Sequence, residues 1–225
     1  MKTIQLAALA LLFMTVSCAE KQKENATATK ASKTIAENVT TPKKEMNKGY
    51  QVGDIVKDFS LKNVDGKMIS MDSFEDAKGF ILTFTCNTCP YSVAYEDRLI
   101  ALDKKYASKG YPVIAINPNN PDVKPGDSFE AMITRAEEKG FTFPYMLDEE
   151  QKVYPQFGAT RTPHMYVIAK TPKGHQVKYI GAIDDNYKDA DAVSKRYIED
   201  AVDALLAGKE VKVKTTKAIG CSIKV

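Results

Sequence analysis

From about Tyr50 onward the chain alternates short apolar runs with amphipathic ones. DFSLKNVDGKMISM carries two alternating runs on either side of an Asp-Gly pair, the pattern of a hairpin closed by a tight turn. GFILTFT is continuously apolar and β-branched, as a strand covered on both faces requires. Residues 91–108 set Val93, Leu99, Leu102 and Tyr106 at helical spacings, and Gly110 ends the run. YPVIAIN reads as a second buried strand and PNNPDVKPGD as a proline-rich loop. SFEAMITRAEEKG reads as a helix with Ser128 at its N-cap. FPYMLD and EEQKVYPQFG give a short strand and a short helix. HMYVIAK and QVKYIGAI, joined through Pro-Lys-Gly, form a second hairpin, and residues 191–207 a last helix. The order βαβα followed by ββα predicts an α/β sandwich with a central mixed sheet between helices and an N-terminal hairpin.

The first 49 residues do not share this pattern. MKTIQLAALALLFMTVSCAE has Lys2, an apolar run from Ile4 to Val16 and small residues before Cys18. The run is too short for a bilayer core of roughly 30 Å, which takes about 20 residues, and fits an export signal. TVSC resembles the lipobox of bacterial lipoproteins, with Thr15 where leucine is usual. That resemblance implies a signal over residues 1–17 and acylation of Cys18; the alternative is an ordinary secretory signal in which Cys18 is incidental. Residues 18–49 are Lys, Glu, Thr and Ala with almost no large apolar side chains, so they read as a disordered tether. The expectation is an exported bacterial lipoprotein, held at a membrane by its lipid and facing the periplasmic or outer side. A folded domain spans 50–210, and a tail spans 211–225.

Composition adds limits. The 225 residues are 44% hydrophobic and 27% charged, enough for a sizeable core, and the net charge is +3. The basic residues are spread along the chain, with no basic face that would read a nucleic acid. No nucleic-acid partner is expected.

The chemistry lies in the cysteines: Cys18, Cys86, Cys89 and Cys221. FILTFTCNTCPYSVAYEDRLIAL puts Cys86 and Cys89 where a strand hands over to a helix. As a staple the pair is poor, because the chain-entropy relation gives about 2 kcal/mol for so small a loop against about 3 for fifteen residues. A helix start, by contrast, has unpaired N–H groups and a positive dipole end, which favour thiolate over thiol. Cys86 at the strand exit is expected to be exposed, with Cys89 one turn in and able to attack a mixed disulfide. Asn87 or Thr88 could cap the turn, and Pro90 falls early enough to cost the helix little. A metal site and an inert pair stay open as alternatives. His164 and His175 do not have the spacing to the pair that structural zinc uses, and no metal is expected.

GATRTPHMYVI adds Thr162-Pro163 just before a buried strand, where a proline belongs and where a cis bond would hold the preceding backbone ready to pair with an extended substrate. With CNTCP, YEDRLIAL and AINPNN, this resembles the thioredoxin superfamily, in its redoxin and peroxiredoxin-like branch, over about residues 50–210. The resemblance implies a thioredoxin-like fold, Cys86 as attacking thiol, Cys89 as resolving thiol, and Thr162 and Pro163 beside them in substrate binding. It implies a membrane-anchored thiol–disulfide oxidoreductase that works through a redox-active Cys86–Cys89 disulfide without other cofactor. Its partners would be protein thiols and disulfides and an electron-donor thiol protein.

Two features depart from relatives. Thr85, not an aromatic residue, stands immediately before Cys86, and Asn-Thr fills the Cys-x-x-Cys pair. Peroxiredoxins use Pro-x-x-x-Thr-x-x-Cys with an arginine; with Cys86 as the reactive cysteine, Thr83 matches but Gly79 stands for proline. Arg161 could supply the arginine. Peroxidase activity and a redox-inactive binding lipoprotein are therefore the alternative readings. Cys221, in KAIGCSIKV, is either a packed or exposed thiol of the tail or a third redox partner on a tail that returns to the site. Glu96 and Asp97 read as solvated acids, His164 as lining a groove, and His175 as exposed in a turn.

Overall fold

The computed structural model describes residues 49–225. The signal, Cys18 and most of the tether lie outside the described residues.

Eight strands form one sheet in the order β1-β9-β8-β4-β5-β6-β2-β3. In chain order they are β1 (Ile55–Val56), β2 (Leu61–Asn63), β3 (Met68–Ile69), β4 (Gly79–Phe84), β5 (Val113–Asn117) and β6 (Tyr145–Leu147), then β8 (His164–Thr171) and β9 (Gly174–Gly181). The pairs β4–β5 and β5–β6 are parallel; the others are antiparallel. A separate two-stranded ladder joins β7 (Arg161–Thr162) to β10 (Cys221–Ser222). The helices are α1 (Pro90–Tyr106), α2 (Phe129–Lys139), α3 (Tyr154–Phe157) and α4 (Tyr197–Leu206). A central mixed sheet flanked by helices, with an N-terminal hairpin, is the arrangement expected.

The period-2 geometry of strands divides the core. Ile81, Val113, Ala115, Met165 and Val167 face Leu99, Leu102 and Tyr106 of α1, Met132 of α2, and Ile198 and Val202 of α4. Phe80, Leu82, Phe84, Ile114, Ile116, Tyr166 and Ile168 face the other way, onto Phe157 of α3 and Met71. All six residues of β4 are buried, which explains the continuous apolar run. Each such large side chain contributes about 1.5–3 kcal/mol on leaving water.

The turns follow their residues. Gly66, at a positive φ of 84°, closes the first hairpin with its N–H on Asn63 O at 2.8 Å. Ser128 Oγ accepts from Ala131 N at 3.2 Å and caps α2.

Several expectations need correction. The last helix begins at Tyr197, not 191. Asp185 Oδ1 accepts the N–H groups of Ser194 and Lys195 at 3.0 and 3.1 Å, which holds the preceding stretch as a turn. Glu96 is not solvated: it is buried on α1, and its two oxygens accept from Arg135 Nε and an Arg135 terminal nitrogen, each at 2.7 Å. Asp97 is exposed. His175 is buried in β9, where Nε2 lies 2.8 Å from Asp72 Oδ1. Residues 211–225, read as a tail, return to the domain, as one of the two readings of Cys221 has it. Their last strand packs on β7, and Ile223 adds to the core.

Candidate functional site

β4 delivers the chain to the site. Its continuation, Thr85, bonds to Ile116 O of β5 through its N–H at 2.9 Å, and the chain then turns through Cys86–Cys89 into α1. Cys89 is the N-cap residue, with extended backbone (φ −79°, ψ 121°), and Pro90 takes the first helical position. A proline there fixes φ and forgoes an N–H that would lack a helical partner.

The N–H groups of the turn go to a residue that sequence reasoning missed. Asp127 has no exposed surface. Its carboxylate accepts Asn87 N at 2.8 Å, Thr88 N at 3.1 Å, Thr88 Oγ1 at 2.8 Å and Asn119 Nδ2 at 2.7 Å. Asn87 and Thr88 therefore do not cap α1; they are themselves held from outside. Asn87 also donates through Nδ2 to Gly126 O at 3.0 Å and accepts from Tyr145 OH at 3.0 Å. The only available sequence signal was an acid at the end of the 118–127 loop, and acids in loops are common.

The two sulfurs meet Thr162 from one side. Cys86 Sγ is 3.3 Å from Thr162 Oγ1, and Cys89 Sγ lies 3.0 Å from Thr162 O. The Thr162–Pro163 bond is cis, and Thr162 is fully buried. Cys221 approaches from the other side: it is the cross-strand partner of Thr162, and its N–H points to Cys89 Sγ at 3.4 Å. The three cysteines carry free thiols.

Cys86 and Cys89 are each only 3% exposed. The expectation of an exposed leading thiol fails, because the strand carrying Cys221 lies against the backbone edge beside the pair. Nor is the first sulfur the acidic one. The hydrogen bond from the Cys86 thiol, aided by the Cys221 thiol and by the N–H groups of Ser92 and Cys221, holds the Cys89 sulfur down to about 4 against the opposing effect of burial. The same bond, then burial and the negative charge of Asp127, push Cys86 well above the ordinary thiol range. The pairing thus favours negative charge on the Cys89 sulfur over the Cys86 sulfur. Burial, and then the charge and hydrogen bond of Cys89, push Cys221 up to about 11.

The remaining candidates sit apart from the sulfurs. Thr83 is fully buried within β4, and its hydroxyl has no hydrogen-bond partner among the described residues. Arg161 is exposed and donates to Gly220 O at 3.2 Å, so it grips the tail. His164 is half-buried, tilted against Tyr166, and burial pushes it down to about 4. Among the described residues, no group of three or more His, Cys, Asp or Glu is placed to hold a metal ion.

Comparison with known proteins gives a consistent picture. The model of the AhpC/TSA family matches residues 52–179. Thiol-disulfide oxidoreductase ResA of Bacillus thuringiensis is 26% identical over 126 residues, which cover 55% of this chain and 66% of that protein, just under two thirds of its length. The crystal structure of an uncharacterized conserved protein from Geobacillus kaustophilus is 34% identical, with a TM-score of 0.72 over 78% of this chain and 92% of its own. A hypothetical protein of Sinorhizobium meliloti is 29% identical, with a TM-score of 0.72 over 78% of this chain and 95% of its own.

Proposed function

The chain belongs to the AhpC/TSA family and has a thioredoxin-like α/β fold, and we propose that it is a thiol–disulfide oxidoreductase that exchanges electrons with protein disulfides through Cys86 and Cys89. The observation that carries this reading is the pair itself: two cysteines at the mouth of α1, both in contact with Thr162 beside a cis proline. The likeness to a thiol-disulfide oxidoreductase supports it further.

In the reduced pair the stored proton rests on Cys86 and the charge on Cys89. A thiolate is the form that attacks a disulfide sulfur. Reduction of one substrate disulfide to two thiols takes two electrons and the Cys86 proton from the pair and a second proton from solvent, and leaves a Cys86–Cys89 disulfide. Asp127 fixes the turn so that the sulfurs face each other, and its charge keeps a second negative charge off Cys86. An electron-donor thiol protein would return the pair to its reduced form. The sequence of residues 1–18 supports an exported, lipid-anchored setting, which loss of acyl labelling in Cys18→Ser would test.

The test is insulin-disulfide reduction by the full chain and by Cys86→Ser and Cys89→Ser. Both variants are expected to lose turnover. Turnover that survives in both would end the reading.

A further inference from the structure

We infer that the C-terminal strand stands in for a substrate strand, and that Cys221 exchanges with the Cys86–Cys89 disulfide by attacking Cys89. The inference rests on the proposed oxidoreductase function and names the first acceptor in that chemistry: a segment of the same chain.

The edge presented by Arg161–Thr162, just before the cis proline, is occupied by residues 221–222, with Cys221 opposite Thr162 and Ser222 opposite Arg161. The approach is so close that it needs glycine. A Cβ on Gly220 would lie 2.2 Å from Thr162 O and 2.6 Å from Thr162 C. Past the cysteine, the segment is tied to the loop after β5. Lys224 N donates to Asn119 Oδ1 at 2.9 Å, while Lys224 O accepts from Asn120 N at 2.9 Å and from Gln151 Nε2 at 2.7 Å. The strand is thus gripped on both sides of Cys221.

The chemistry then follows from which sulfur Cys221 meets. Its N–H points to Cys89 Sγ at 3.4 Å, and the Cys221 and Cys89 thiols shift one another's acidity. In the reduced protein the Cys221 thiol keeps its proton beside the charged Cys89 sulfur. Once Cys86 and Cys89 are joined, that charge is gone and the Cys221 sulfur faces a neutral disulfide. Its thiolate attacks Cys89, the Cys89–Cys221 bond forms, and the Cys86–Cys89 bond breaks. Cys86 leaves as thiolate and takes up the proton released by Cys221. No electrons enter or leave the protein, so the step needs no external oxidant. Its result is to move the disulfide from a pair that is 3% exposed at each sulfur to one that includes a half-exposed cysteine.

The experiment uses the full chain with Cys18→Ser throughout, equilibrated in a glutathione redox buffer, acid-quenched, alkylated and mapped by mass spectrometry of non-reduced peptides. Adding Cys86→Ser is expected to give an intramolecular Cys89–Cys221 disulfide with loss of both free thiols. Adding Cys89→Ser is expected to leave Cys86 and Cys221 unlinked. The proposal is overturned if Cys86→Ser keeps two free thiols where the parent is fully oxidised, if Cys86 links to Cys221 as readily, or if Cys221 links only between chains. Should Cys86→Ser fail to fold, the oxidised parent decides. A peptide joining residues 79–98 to residues 218–224 supports the exchange, and its absence overturns it. Cys221→Ser separates the two readings. A reversible Cys86–Cys89 transition in that variant upholds the proposed function whatever Cys221 does, and its absence counts against that function.

Discussion

Cys221 and Thr162 face each other across a two-residue antiparallel ladder, although 59 positions separate them in the chain. Thr162 also touches both members of the cysteine pair, through its hydroxyl to Cys86 and its carbonyl to Cys89. One buried threonine is therefore the common neighbour of three sulfurs, and the seal over the pair depends on how firmly the last strand stays beside it.

Gly220→Val tests that seal. The added side chain would collide with the Thr162 carbonyl, and overpacking of this kind costs about 1–3 kcal/mol. The strand is expected to lift, and native-state labelling of Cys86 and Cys89 to quicken by about tenfold for each 1.4 kcal/mol. Labelling at the parent rate would show that the strand is not what shields the pair.

The acidity of Cys89 makes a pH prediction. Its folded value of about 4 lies below the ordinary thiol value of 9.0, so the stability it contributes is full above the latter and is lost as pH falls through the former. The unfolding midpoint of the reduced protein is expected to rise between those limits, and Cys89→Ser to flatten that part of the profile. Titration of the thiolate ultraviolet absorbance of the reduced protein gives the same information directly, and a midpoint near 9 would refute the assignment.

Asp127→Ala strips four donors of a fully buried acceptor, three of them on the half-buried Asn87 and Thr88. A buried group left unpaired costs about 1–3 kcal/mol, so a loss of at least about 3 kcal/mol is expected in chemical denaturation. Disulfide reduction should fall too, since the turn that aims the sulfurs loses its anchor. Asp127→Asn, which keeps the shape and one acceptor oxygen, should fall between the parent and alanine on both measures.

Glu96→Ala separates stability from chemistry. The carboxylate is buried, and its loss leaves Arg135 without its partner on α1, while Lys139 keeps Asp97 at 4.0 Å. Breaking a buried pair on one side costs about 3–5 kcal/mol, and the partly exposed Arg135 places this case at the lower end. The redox midpoint of the cysteine pair is expected to stay at the parent value in an equilibrium titration, because no contact runs from Glu96 to either sulfur.

Much of this arrangement was legible in the residues. Long apolar runs such as GFILTFT report burial on both faces, and the Asp-Gly pair, the Ser128 cap and the cysteine-cysteine-proline sequence each carry local physics that needs no distant partner. What escaped was non-local. The ladder of Arg161–Thr162 with Cys221–Ser222 is two residues long on each side, too short for any alternation to register. Asp127 acts through side-chain acceptance from a turn 39 positions away, which no periodicity encodes. Glu96 and His175 escape for the same reason: charge at one and a neighbouring turn at the other suggest exposure until the fold brings Arg135 or Asp72 alongside.

Asn119 belongs to both halves of the site: its amide nitrogen donates to Asp127, and its amide oxygen receives the N–H of Lys224. A single planar group thus links the clamp on the cysteine turn to the latch on the last strand. Rotating that amide to serve one half would disturb the other, so the position of the last residues and the packing behind the cysteine turn are set by the same side chain.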